Sequence, residues 1–305
     1  MRVKFWGVRG SIPCPGPLTV KYGGNTPCIE LRFDDIDRLI IIDAGSGLRE
    51  LGNFMMANDL PKGPIKTEIF LSHTHWDHIM GFPFFGPIYI PGTQIKVYGT
   101  DSYDNDTLES IVGGQLTYRY FPVRQAELGA NIEYIHLKEE KLNLGDGITL
   151  ITKYLNHPLL CLGFRFDYKG KFFCTAYDTE PFRNIFTSDP ADPSYDEAMF
   201  LEGQTVVEEQ NKAVEEFFNA ADLLVHDSQY TSNEYETDKK GWGHSSFEHV
   251  CPAANRAGVK RMALFHHDPL RSDAQMDELA EIHCAPDKYG NTEIFFAREG
   301  MEIEL

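Results

Sequence analysis

The stretch His73-Thr74-His75-Trp76-Asp77-His78 constrains this chain most: three imidazoles and a carboxylate lie within six residues, directly after the strand-forming run Ile69-Phe70-Leu71. Histidine supplies only 11 of 305 residues, so a solvated loop would not be expected to gather three of them here. Side chains two apart on an extended segment point the same way, so His73, His75 and Asp77 are expected to share one direction, with His78 entering from the following turn. Protein-bound zinc is normally four-coordinate, and a catalytic ion keeps one position open. Four ligands from one loop therefore point to two ions.

A chain of this length with 42% hydrophobic residues can bury a sizeable core, and we expect a single domain over residues 1–305. The 28 basic and 46 acidic residues give a formal charge of −18, which favours a small anionic substrate and makes long nucleic acid an unexpected partner. Cys14, Cys28, Cys161, Cys174, Cys251 and Cys284 show no Cys-x-x-Cys spacing, so neither a disulfide framework nor a thiolate metal site is indicated. With no apolar signal core after Met1 and no membrane-length apolar run, a cytoplasmic, membrane-free location is expected.

Short β-branched runs alternate with amphipathic segments, which reads as mixed α/β. Strands are expected at Val3–Phe5, Ile29–Phe33, Leu39–Ile42, Ile69–Leu71, Ile95–Tyr98, Ile148–Leu155, Leu162–Tyr168, Phe172–Ala176, Leu223–Val225 and Met262–Phe265. Helices are expected at Gly47–Ala57, Val206–Asn219, Ser246–Ala257 and Asp273–His283, and Tyr168-Lys169-Gly170-Lys171 reads as a hairpin turn. The acidic run from Glu202 to Glu216 carries its apolar residues on one face and reads as a solvated surface helix. Loops are expected at Cys14–Gly24 and Thr187–Asp196. Further ligands belong where loops converge at strand ends. His157, Asp178 and His266 each sit just past an expected strand, and His266 rather than His267 takes the inward position.

The H-x-H-x-D-H pattern resembles the signature of the metallo-β-lactamase superfamily, whose first motif is followed by a His, an Asp and a final His at strand ends. The resemblance implies a four-layer αββα sandwich. It implies that His73, His75 and His157 hold one ion, that Asp77, His78 and His266 hold the other, and that Asp178 bridges them. Imidazoles with carboxylates suit zinc, and manganese or iron can occupy the same shell. Asp43, in Asp43-Ala44-Gly45-Ser46-Gly47, matches a buttressing Asp of the superfamily and is not counted as a ligand; the same stretch also reads as a strand-to-helix turn capped by Ser46.

The stretch His157–Phe166, in which the His is followed within a few residues by a Gly-aromatic strand, and Gly243-His244-Ser245-Ser246 resemble the branch of ribonuclease Z and small phosphodiesterases, as do Leu223-Leu224-Val225-His226-Asp227 and the segments Phe5–Ser11 and Gly23–Cys28. In that branch the counterpart of His244 lies beside the scissile phosphate, while Ser245 or Ser246 also reads as a helix cap. The departure is the arm with which bacterial ribonuclease Z grips transfer RNA: only 20 residues separate His157 from Asp178. The extra length lies instead between Glu180 and Asp222, and it is acidic. The resemblance therefore implies a phosphodiesterase acting on a cyclic nucleotide or cyclic ribose phosphate through a hydroxide shared by two ions, with Asp77 and His244 catalytic. The alternatives are a hydrolase of a carboxylic ester, thioester or lactone, a ribonuclease Z-like endonuclease, and a diiron redox protein. Substrate choice is assigned to residues 100–141 and 180–222; Arg9, Arg119 and Arg124 stay outside the site. Oligomeric state is left open, with a symmetric homodimer the commonest assembly.

Overall fold

A computed structural model describes residues 1–101, 106–286 and 288–305. Residues 102–105, within the first expected specificity segment, lie outside the described residues. The strands are β1 (Arg2–Gly7), β2 (Cys28–Phe33), β3 (Arg38–Ile42), β4 (Lys66–Phe70), β5 (Gln94–Gly99), β6 (Asn131–His136), β7 (Lys141–Gly145), β8 (Ile148–Leu155), β9 (Cys161–Tyr168), β10 (Lys171–Ala176), β11 (Leu223–Asp227), β12 (Arg261–Phe265), β13 (Glu293–Phe296) and β14 (Glu302–Glu304). The α-helices are α1 (Gly47–Asn58), α2 (Trp76–Ile79), α3 (Leu108–Val112), α4 (Glu197–Phe217), α5 (Ser232–Glu234), α6 (Phe247–Arg256) and α7 (Asp273–His283).

Two seven-stranded sheets form, ordered β14-β1-β2-β3-β4-β5-β6 and β13-β12-β11-β10-β9-β8-β7. Each pairs antiparallel on one side and parallel on the other, with β3 to β6 and β10 to β13 parallel. Inward-facing Phe5, Phe33, Phe70, Phe164, Phe166, Phe173 and Phe265 fill the space between the sheets, with ring centroids 5.6 Å apart for Phe70 and Phe166. Burial of these large apolar faces is the main force holding the sheets together. Leu48, Leu51 and Met55 of α1 cover the outer face of the first sheet, while Val250, Ala254, Met276 and Leu279 of α6 and α7 cover the second. This is the αββα sandwich expected.

The C-terminal ends of β3, β4, β10, β11 and β12 meet at one edge of the sandwich. Because β8 and β10 are each antiparallel to β9, the end of β8 joins them there. Loops leaving that edge carry Asp43, His73 to His75, His157, Asp178 and His266, with Asp77 and His78 on α2 and Asp227 at the end of β11.

Several expectations need correction. The chain leaves β4 after Phe70, and Asp77 and His78 ride on α2, so Asp77 does not continue an extended alternation with His73 and His75. The surface helix begins at Glu197 rather than Val206, because Asp196 caps it by accepting from the Met199 amide. Ser46 accepts no cap bond from the first turn of α1; its hydroxyl donates to Asn25 Oδ1 and accepts from the Thr26 amide, tying the helix start to the loop before β2. Ser246 stands at the N-cap of α6 without a side-chain cap bond, and the Ser245 hydroxyl donates to the Thr179 carbonyl.

Candidate metal centre

Asp43, Asp178 and His266 all follow strand ends with positive φ, at 59°, 24° and 62°. Non-glycine residues rarely adopt this region, and such strain clusters at functional sites. Here it lies where three strand exits converge on one point.

Two groups of ligand-type atoms form there, sharing Asp178. In the first, His75 Nδ1 lies 3.0 Å from both His73 Nε2 and His157 Nε2, and Asp178 Oδ2 is 3.4 Å from His73 Nε2. In the second, His78 Nε2 and His266 Nε2 are 3.3 Å apart, Asp77 Oδ2 lies 3.3 Å and 3.2 Å from them, and Asp178 contributes both oxygens at 3.3 Å. The structure thus brings His73, His75, Asp77, His78, His157, Asp178 and His266 together. His267 points away, and its Nε2 bonds the Ala297 carbonyl.

The donor set fits cations. Imidazole nitrogens face one another at hydrogen-bond distance, and at most one of each pair can carry the proton. Asp178 Oδ1 is buried with no hydrogen-bond donor among the described residues. The outer nitrogens are already engaged: His78 Nδ1 with Asp43 at 2.8 Å, His157 Nδ1 with the Gly243 carbonyl at 3.0 Å, His73 Nδ1 with Ser72 Oγ at 3.1 Å and His266 Nδ1 with Gln229 Oε1 at 3.3 Å. Such outer bonds fix ring orientation and leave the inner lone pairs to a metal. Asp43 also accepts from the Ser72 amide, matching its expected buttressing role, and Asp77 Oδ2 accepts from the Ser11 amide at 2.7 Å.

Charge divides the histidines. Burial opposes protonation of His78, but the Asp178, Asp77 and Asp43 carboxylates outweigh it and raise its pKa well above the ordinary value. Burial pushes His157 down to about 4 despite Asp178 nearby.

His244 stands over both groups, its ring centroid 4.8 Å from His266 and 5.6 Å from His157. Its Nδ1 donates to Asp227 Oδ2 at 2.7 Å. Burial works against the imidazolium, yet the facing Asp227 carboxylate raises the pKa to about 9. Asp227, Asp178, His244 and His266 also make a third convergent set. Sequence reading placed Asp227 in a branch motif but gave it no role; its position at the end of β11 was the available signal. Gly243 is required beside it: at φ +82°, a Cβ there would lie 2.2 Å from His157 Nδ1.

Arg9 is fully buried and bonds the Gly23, Asp268 and Arg271 carbonyls, so it stitches loops together. Arg119 and Arg124 line an open cleft of about 950 Å³ with Tyr118 and Tyr120. All six cysteines are unpaired. Among the described residues, no helix is long and apolar enough to cross a membrane.

No protein-family model matches the chain. Curated relatives include ribonuclease Z of Lactococcus lactis subsp. lactis, 28% identical over 79% of this chain and 83% of that protein, and ribonuclease Z of Thermococcus kodakarensis, 27% identical over 79% and 78%. Among solved structures, the metallo-β-lactamase fold protein YhfI from Bacillus subtilis superposes with a TM-score of 0.63 at 18% identity, covering 100% of this chain and 99% of that one. A diphosphatase of the PhnP family gives 0.61 at 17% identity over 100% and 97%, and the short form of human tRNase Z gives 0.57 at 17% over 100% and 99%. The chain has the metallo-β-lactamase fold, and its sequence resembles ribonuclease Z.

Proposed function

We propose that this metallo-β-lactamase-fold chain is a dinuclear metal-dependent phosphodiesterase that hydrolyses a small anionic diester such as a cyclic nucleotide or cyclic ribose phosphate. The observation that carries the reading is His244, stacked on His266, close to His157 and paired with Asp227. The leaving alkoxide of a phosphodiester must gain a proton, and an imidazolium held above both ligand groups is placed to give it.

His73, His75 and His157 would hold one divalent ion, Asp77, His78 and His266 the other, with Asp178 shared; the ligand types favour zinc, and manganese or iron suits the same shell. Such ions, when bound, supply a water of near-neutral pKa and Lewis acidity towards the phosphoryl oxygens. Asp77, anchored by the Ser11 amide, would orient the attacking water while remaining a ligand. Asp227 holds the His244 tautomer so that Nε2 is the nitrogen free to donate.

A ribonuclease Z-like action on RNA is the second reading, favoured by the names of the curated relatives. The −18 charge and the short His157–Asp178 connection weigh against it. The test is a panel on metal-analysed protein: cyclic nucleotides, bis(p-nitrophenyl) phosphate, a lactone, a thioester and a precursor transfer RNA. Turnover of the small diesters is expected, with His244→Ala lowering kcat about 10²-fold or more at unchanged metal content. Turnover confined to the lactone or thioester would sink the proposal, and cleavage confined to the RNA would favour the second reading.

A further inference from the structure

Asp178 is followed by a short strap, Thr179-Glu180-Pro181, that bonds to the neighbouring loops of the centre. The Thr179 amide donates to Asp227 Oδ2 at 3.1 Å, the same oxygen that takes His244 Nδ1 at 2.7 Å. The Ser245 hydroxyl donates to the Thr179 carbonyl at 2.6 Å. The Glu180 amide donates to the Asn156 carbonyl at 3.0 Å, and Asn156 Nδ2 returns a bond to the Pro181 carbonyl at 3.2 Å. The strap thus holds the residue before His157 on one side and the surroundings of His244 on the other.

The Glu180 side chain is buried, and one oxygen, Oε2, accepts from the Gly241 amide and from Tyr235 Oη, each at 2.9 Å. Tyr235 is itself buried, and Arg183 Nε stands 3.8 Å from the same oxygen. Two donors and a guanidinium offset the cost of burying this carboxylate. The loop it grips runs Gly241-Trp242-Gly243-His244. Gly241 and Gly243 sit at φ 84° and 82°, a region open to glycine at little cost, and the same freedom leaves the loop dependent on outside bonds for its shape. Those bonds are Glu180 at its start, His157 Nδ1 on the Gly243 carbonyl at 3.0 Å, and Asp227 on His244 at its end.

We propose that Glu180 is a positioning residue for His244: its carboxylate fixes the start of the 241–244 loop, so that the Gly243 carbonyl meets His157 and the imidazole stays over both ligand groups. The role rests on the phosphodiester reading above for its effect on turnover, and on these bonds for its geometry. Both hydrogen-bond donors are neutral, so the carboxylate acts by its reach rather than its charge.

The experiment joins proton NMR of the zinc-loaded protein, labelled with ¹⁵N-histidine, to kinetics on cyclic AMP. The Nδ1 proton of His244, bonded to the Asp227 carboxylate, is assigned by its loss in His244→Ala. Glu180→Ala, and Glu180→Asp, which withdraws the carboxylate by one methylene, should shift or broaden that resonance. Both should lower kcat about 10²-fold with KM little changed and both ions retained. Glu180→Gln keeps the reach and the acceptor oxygen, and should keep most of the turnover and the wild-type resonance. Because Glu180 acts through His244, adding Glu180→Ala to His244→Ala should lower kcat little further. Where Glu180→Ala fails to fold, Glu180→Asp carries the test. An unmoved resonance with wild-type kcat, losses that multiply with those of His244→Ala, or a Gln variant as damaged as the Asp one would overturn the positioning role and leave the phosphodiester reading standing. A resonance that moves as expected in a protein that hydrolyses no diester would support the role and overturn the reaction.

Discussion

The ligand group of Asp77, His78, Asp178 and His266 is sealed inside the sandwich edge, whereas the group of His73, His75, His157 and Asp178 faces solvent through His75. Their supports differ too. His78 leans on the buried carboxylate of Asp43, while His157 leans on the backbone carbonyl of Gly243. Three carboxylates around His78 stabilise positive charge there, and burial around His157 opposes it. Under the proposed function, the sealed half would serve as a fixed cation seat and the open half as the place where a ligand enters.

Asp178 tests the comparison most severely, because both halves use it. Asp178→Ala should strip both ions and lower activity by about 10³-fold or more. Elemental analysis that still finds one full equivalent would show that one half stands without it. His78→Ala and His75→Ala should then separate the halves. Without the His78 imidazolium, Asp43, Asp77 and Asp178 remain buried beside one another, so metal-stripped protein should lose about 3 kcal/mol in urea unfolding. His75→Ala should cost under ~1 kcal/mol and retain one ion. Equal losses would dissolve the distinction between a sealed and an open half.

Outer supports should give smaller effects. Asp43→Asn is expected to weaken metal binding in the sealed half by about 10- to 100-fold. Gly243→Ala places a Cβ against His157 at a positive φ, so the ion lost first should come from the open half. Competitive chelator titrations resolve the two; if Gly243→Ala released the tighter ion first, the assignment of supports would be reversed.

How far the sequence revealed this arrangement depended on burial. All ten expected strands formed, and each has neighbours on both sides in its sheet. The four strands not foreseen, β6, β7, β13 and β14, are the four sheet edges. An edge strand buries less and carries charge against unwanted pairing, so Glu302-Ile303-Glu304 offers one apolar residue and no period to read. The same contrast runs through the site. Seven candidate ligands were legible because histidines and carboxylates just past strands are conspicuous. Asp227 was not assigned a role, because its partner His244 is 17 residues away and only folding brings them together. The assignment of Asp77 to a helix was equally hidden, since four residues make too short a period.

The least effect on catalysis is expected at His226, buried like His78 but without Asp43, Asp77 or Asp178 beside it. It lies at the end of β11, faces Phe218, and its Nδ1 donates to the Asp227 carbonyl at 2.7 Å. Burial pushes its pKa down to about 4, the opposite direction from His78. In the unfolded chain a histidine titrates near 6.5, so below that pH the unfolded state binds the extra proton and folding must exclude it. The contribution is therefore fully present above about 6.5 and is lost as pH falls towards 4. His226→Gln removes the titration, so urea unfolding of metal-stripped protein between pH 7 and pH 4.5 should show a shallower decline than wild type, with turnover at neutral pH little changed. An identical decline would mean that burial does not outweigh the neighbouring Asp227 carboxylate and hold this imidazole neutral. The contrast drawn for His78 would then lose its reference.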